Sequence, residues 1–238
     1  MNAFVLIHSP LVGPFTWSLV AHELRRRSIE VIVPTLTNER SAQDVPFWKM
    51  HTAAVAATLA SLPRDRAVIL VGHSGAGPLL PALRNALDLA VGGYLFADAG
   101  LPVHNRSRLD LFESREAADE FRQAAQGGYL PTWTDDDLVQ VIPDADVRRQ
   151  FVAELRHTPL EVYEEPLPVF SGWPDAPCGY VWFSPPYEST VQQARLKGWP
   201  VREIKAGHFH MLVDPVVVTD TLLEIVDRYS GGSRQGSA

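Results

Sequence analysis

Three scarcities bound the problem. There is one cysteine, Cys178, in 238 residues, which excludes an internal disulfide and any cysteine-rich metal cage. The thiol reads as a small core residue rather than a reactive one. Long apolar runs are missing as well: no stretch approaches the ~18 residues needed to cross a bilayer, so no membrane partner is expected. Positive charge is the third shortage, with 21 Lys and Arg against 28 Asp and Glu and a formal net charge of −7. The basic run Arg25-Arg26-Arg27 is too short to follow a phosphate backbone, which argues against nucleic acid as a partner. Nothing basic precedes Phe4-Val5-Leu6-Ile7, and there is no room ahead of it for a cleavable leader, so the expected compartment is the cytoplasm.

What is present suits one large domain: 46% hydrophobic and 21% charged residues, on a chain long enough for a sizeable core. Continuous apolar runs at 3–8, 30–34, 67–71, 93–97, 179–183 and 201–204 read as strands covered on both faces. Helical stretches at 15–27, 43–61, 77–88, 189–197 and 215–229 alternate with them, the rhythm of a parallel sheet with right-handed crossovers. The predicted fold class is therefore α/β, a mostly parallel open sheet of about six strands with helices on both faces.

Residues 101–177 break that rhythm, because a simple crossover needs far fewer residues. They carry helical patches at 109–125 and 144–156, the acidic turn Thr134-Asp135-Asp136-Asp137, many prolines and scattered aromatics. This reads as an insertion packed as a lid over a core of 1–100 and 178–230. Each single aromatic there is more readily a core residue than a ligand contact. The tail 231–238 has almost nothing to bury and is expected to be disordered.

The chemistry centres on Gly72-His73-Ser74-Gly75-Ala76-Gly77, which follows the strand run Ala67-Val68-Ile69-Leu70-Val71 and leads into a helix. Small residues around Ser74 allow a turn sharp enough to lift its hydroxyl out of regular geometry, beside the free N–H groups of a helix start. A serine hydroxyl needs a base. His208, in Ala206-Gly207-His208 after the last strand run, is the imidazole placed to reach back over the sheet edge; His210 is its rival on the same face of an extended segment. His73 reads as a packing residue rather than a second base.

With these motifs in this order, the chain resembles the α/β-hydrolase superfamily. Phe4 to Trp17, which includes His8-Ser9-Pro10-Leu11, and Ile32-Val33-Pro34-Thr35-Leu36-Thr37 are similar to the opening of its compact plant-esterase and hydroxynitrile-lyase-like branch. The resemblance implies that 101–177 is the cap, and that an acid follows the strand after it. There, in Tyr180 to Glu188, no Asp stands. Glu188 lies close to the implied place, whereas Asp98 stands at the carboxyl end of the preceding strand, where ligands bind in open α/β sheets; the strand-end argument favours Asp98. The resemblance also implies an oxyanion hole with one donor from Gly75 N–H. Its other donor falls at Pro10, which has no N–H, so the hole is either rebuilt from Leu11 N–H or weaker. Candidate substrate contacts are Pro10, His73, Trp133, Tyr129 and Tyr163.

The implied activity is a serine-dependent acyl hydrolase or acyltransferase acting on an ester or thioester through an acyl-Ser74 intermediate. The acyl substrate is a small molecule, free or presented on a carrier protein. No cofactor and no metal are expected, and the chain is taken as a monomer or homodimer. Two other readings stay open: an acid/base lyase of the hydroxynitrile-lyase kind, and a non-catalytic receptor on the same scaffold.

Overall fold

The computed structural model describes residues 2–39, 45–128 and 130–232. Six strands form one sheet: β1 (Ala3–Ile7), β2 (Val31–Ile32), β3 (Val68–His73), β4 (Val91–Ala97), β5 (Cys178–Trp182) and β6 (Val201–Glu203). Their order is β2-β1-β3-β4-β5-β6, and every neighbouring pair is parallel. Eight α-helices are described: α1 (Ser18–Arg26), α2 (Phe47–Leu59), α3 (Leu80–Ala86), α4 (Arg115–Ala124), α5 (Ala145–Ala153), α6 (Glu161–Glu164), α7 (Glu188–Leu196) and α8 (Pro215–Gly232).

Apolar side chains of alternate parity along each strand feed two separate cores. Phe4, Leu6, Ile69, Val71, Leu95 and Val181 pack with Leu24 of α1 and Leu222 and Ile225 of α8 on one face. Ala3, Val5, Ile7, Val68, Leu70 and Tyr180 pack with Val55 of α2, Leu83 of α3 and Val191 of α7 on the other. Both faces being covered, the strands need no polar side, which is why their sequences run continuously apolar. Cys178 sits in the second core, 4% exposed, and burial pushes its thiol up to about 12.

Proline accounts for several departures from the expected boundaries. The stretch 77–88 divides into a 3-10 segment, Ser74–Leu79, and the short α3, because Pro78 lies inside it without an N–H to donate. The strand at 30–34 shrinks to two residues ahead of Pro34. Helix α2 begins only after Pro46; residues 40–44 of the expected helix lie outside the described residues. Within 101–177, the patch 109–125 breaks into a 3-10 turn, Leu109–Leu111, and α4, where Ser114 accepts a bond from Ala117 N–H. Asp144 caps α5 by accepting from Asp146 and Val147 N–H. At the carboxyl end, Gly231 and Gly232 belong to α8 and correct the expected start of the tail, whereas 233–238 lie outside the described residues.

The 101–177 segment is tied to the sheet end that carries Ser74. Glu165 accepts from the N–H groups of Phe47 and Trp48 at the start of α2, both at 2.8 Å. Glu154 accepts from Phe15 N–H at 2.7 Å, and Arg156 N–H donates to Leu11 O at 3.0 Å. Carboxylates on the free N–H groups of helix starts are favourable on both hydrogen-bonding and dipole grounds.

Candidate active site

Ser74 follows β3 as the first residue of the 3-10 segment, with φ at 55°. A left-handed serine is strained, and it stands at the turn from strand to 3-10 helix. A Cβ on Gly72 would lie 3.1 Å from Gly77 Cα, and one on Gly77 only 2.4 Å from Gly100 O. Glycine at 72 and 77 is thus dictated by close backbone approach, while position 76 takes Ala, fully buried.

Asp98 follows β4 and is also left-handed, φ 45°, with no exposed surface. Its carboxylate is fully engaged. Oδ1 accepts from Phe183 N–H (2.9 Å) and Ser184 N–H (3.1 Å), while Oδ2 accepts from the Ser184 hydroxyl and pairs with His208 Nδ1 at 2.8 Å. That contact fixes the proton on Nδ1 and leaves Nε2 as the acceptor. The His208 ring is clamped between Tyr187, stacked at 5.3 Å and 8°, and His73 at 4.4 Å. Glu188, the other carboxylate considered, is exposed at the first turn of α7.

His73 is fully buried, and its Nε2–H donates to His208 O at 3.0 Å. Burial, with His208 beside it, holds its pKa well below the usual value. It supports the ring rather than the cavity. His210 opens a 3-10 turn and makes ring contact with Phe183.

A cavity of about 320 Å³ opens onto Ser74, Gly75 and His208. Leu11, Leu111, Phe112, Phe121, Trp133 and Tyr163 give it apolar walls, and Tyr187 and Arg108 reach it too. Of the expected substrate contacts, Trp133 and Tyr163 line it. Pro10 and His73 do not, and Tyr129 lies outside the described residues. Pro10 faces away, its carbonyl accepting from Asn38 Nδ2 and Thr158 Oγ1. The Leu11 N–H is directed at Ser9 Oγ, 3.4 Å away.

Several residues of the site escaped the sequence reading. Tyr187 places its hydroxyl 3.3 Å from Ser74 Oγ; its position just beyond β5, at the carboxyl end of the sheet, was the available signal. Ser184 has the same signal. Arg108, 2% exposed, donates from Nε to Gly75 O at 2.7 Å and from Nη1 to Val162 O at 2.6 Å. Nothing local marks it. Among the described residues no group of three or more His, Cys, Asp or Glu is placed to hold a metal ion.

The sequence model of the alpha/beta hydrolase family matches residues 4–221. The chain belongs to that family. Among curated relatives, Methylesterase 2 of Arabidopsis thaliana is 22% identical over 95% of this chain and 96% of its own length. Methylesterase 1 of the same plant is 29% identical, over 47% of this chain and 45% of that protein. Among solved structures, an extracellular α/β-hydrolase from a Paenibacillus species superposes with a TM-score of 0.77 at 20% identity, covering 94% of this chain and 99% of that one. Its description relates it in structure and function to tobacco salicylic acid binding protein 2. Ser74, Asp98 and His208 follow one another in that order along this α/β-hydrolase chain, and among the described residues no helix is long and apolar enough to cross a membrane.

Proposed function

We propose that the protein is a serine esterase that hydrolyses a small, apolar carboxylic ester through an acyl-Ser74 intermediate. The observation that carries this reading is the 2.8 Å pairing of His208 Nδ1 with the buried Asp98 carboxylate, on a ring that shares one cavity with the strained Ser74. An imidazole held so has one nitrogen free to take a proton. As Ser74 Oγ bonds to the ester carbonyl carbon, its proton passes to His208 Nε2, and Asp98 stabilises the imidazolium. The ester C–O bond then breaks as His208 returns the proton to the departing alkoxide. Water repeats the cycle: it gives a proton to His208, attacks the acyl carbon, and releases the acid as Ser74 regains its hydrogen.

Support for an ester, rather than a charged or bulky polymeric substrate, comes from the cavity walls, which are mostly aromatic and aliphatic, and from its modest volume. The methylesterase relatives favour a small alcohol as leaving group. The test is covalent. A serine-directed fluorophosphonate should add one adduct mass to the intact protein, and Ser74→Ala should abolish it together with turnover of p-nitrophenyl esters. An unlabelled wild-type protein would remove the reading.

A further inference from the structure

The loop after β1 poses a problem for acyl transfer. An attacked carbonyl oxygen needs two donors, and the position implied for one of them is Pro10, which has no N–H. The next two amides are directed inward: Leu11 N–H faces Ser9 Oγ at 3.4 Å, and Val12 N–H donates to Ser9 O at 3.1 Å. On the backbone, this leaves the Gly75 amide as the donor that the family pattern implies.

A pair of hydroxyls stands beside Gly75. Tyr163 OH and Ser9 Oγ are 3.1 Å apart, both on buried residues. A Cβ at Gly75 would come within 2.8 Å of Tyr163 OH and 3.3 Å of Ser9 Oγ, so both oxygens crowd the residue after the nucleophile. The proton count is informative. Two hydroxyls carry two protons, and the bond between them uses one. Ser9 Oγ already faces the Leu11 N–H as an acceptor. When Ser9 donates to Tyr163, the phenol proton is left over, and among the described residues Ser9 is the only hydrogen-bond partner of that hydroxyl. Tyr163 lines the cavity, whereas Ser9 is not among the described lining residues.

We propose that Tyr163 supplies the second oxyanion donor, replacing the amide that Pro10 cannot provide, with Ser9 as the residue that positions it. This rests on the esterase reading above. The phenol keeps its proton throughout and only hydrogen-bonds the carbonyl oxygen as negative charge develops there. Arg108 helps twice over. Its Nε–H bond to Gly75 O holds the peptide next to the Gly75 amide, and its guanidinium lies 5.8 Å over the Tyr163 ring. Burial raises the phenol pKa, opposed by Ser9 and the Arg108 charge, so the hydroxyl is protonated at neutral pH. This arrangement also explains why position 75 is glycine: any side chain there would occupy the space of the donor.

Tyr163→Phe removes one oxygen and tests the assignment. The kcat on a p-nitrophenyl ester is expected to fall ~100-fold with KM within twofold, the scale of losing one oxyanion donor. Affinity for a trifluoromethyl ketone, which forms an oxyanion on Ser74, is expected to fall by a similar factor, while affinity for the matching uncharged amide is unchanged. Ser9→Ala, the second variant, is expected to lower kcat and trifluoromethyl ketone affinity about tenfold. Retention of both quantities within twofold in the variants overturns the proposal, and so does an equal loss of affinity for ketone and amide, which would mean that the hydroxyl only shapes the cavity. Fluorophosphonate labelling of the wild type keeps the two questions apart: if it occurs while Tyr163→Phe behaves as wild type, only the oxyanion assignment falls.

Discussion

The acid is the sharpest question at the level of single residues. Asp98 has four donors on two oxygens and no exposed surface, while Glu188 is solvated at a helix start. Two candidate carboxylates were legible in the sequence, and the position of Asp98 favoured it, since strand ends face the ligand crevice. What the neighbouring loop does was not legible. That loop instead supplies the Phe183 and Ser184 amides and the Ser184 hydroxyl that hold Asp98, together with the Tyr187 ring that stacks on His208. Asp98→Asn should therefore cut kcat by ~10³-fold or more, since the amide favours the wrong imidazole tautomer, whereas Glu188→Gln should leave kcat within twofold. Steady-state kinetics on one activated ester checks both. Loss of activity in the Glu188 variant alone would move the acid to that residue.

At the scale of elements, the decisive feature is how tightly β3 turns into α3. The strand, the turn and the helix were each readable from composition, yet the 3-10 form of Ser74–Leu79 was not, because it follows from Pro78 together with the close approach of β4. Gly77 lies against Gly100 O, a backbone atom that cannot swing aside. Gly77→Ala should thus destabilise the protein by about 1–3 kcal/mol, the range for overpacking a tight site, measured as a lower urea midpoint. It should also reduce fluorophosphonate labelling, because the turn that presents Ser74 would have to shift. An unchanged midpoint would show that the two segments move apart freely. The long stretch between β4 and β5 was legible by length alone. Its anchoring was not: Glu165, Glu154 and Arg108 bond to backbone groups at 47, 48, 15 and 75, contacts that span up to 139 positions and leave no local signature.

For the whole molecule, the buried histidines set the response to acid. His8 is fully buried, donating from Nδ1 to Ser9 O and accepting at Nε2 from Leu36 N–H; burial lowers its pKa to about 4. His51 is lowered to about 3 by burial and the Arg108 charge, and His73 is lowered for the reasons given above. All three stay neutral in the folded protein where the unfolded chain takes up protons, at its ordinary value of about 6.5. Their contribution is fully present above that pH and is lost as pH falls toward the folded values. Each imidazole then costs about 1.4 kcal/mol per pH unit, so stability should drop by roughly 3–4 kcal/mol per unit between pH 6 and pH 5. Urea unfolding across that interval checks the slope, and a flat profile would mean that these histidines are protonated in the fold.

The sequence by itself determined the parallel α/β sheet, the placing of Ser74 just after β3 and that of His208 in the loop after β6, because those follow from local periodicity and from which residues can make a sharp turn; the family was legible only through the resemblance of its motifs. Tertiary structure alone decided which side chains surround them. Asp98 meets His208 across 110 positions, Tyr163 meets Ser9 across 154 and Tyr187 meets Ser74 across 113. Hydrogen bonds of this kind depend on three-dimensional proximity within about 3 Å, a quantity that no run of neighbouring residues encodes. The missing amide at Pro10 was visible from the residue type. The tyrosine hydroxyl standing beside Gly75 became visible only when the insertion was packed over the sheet.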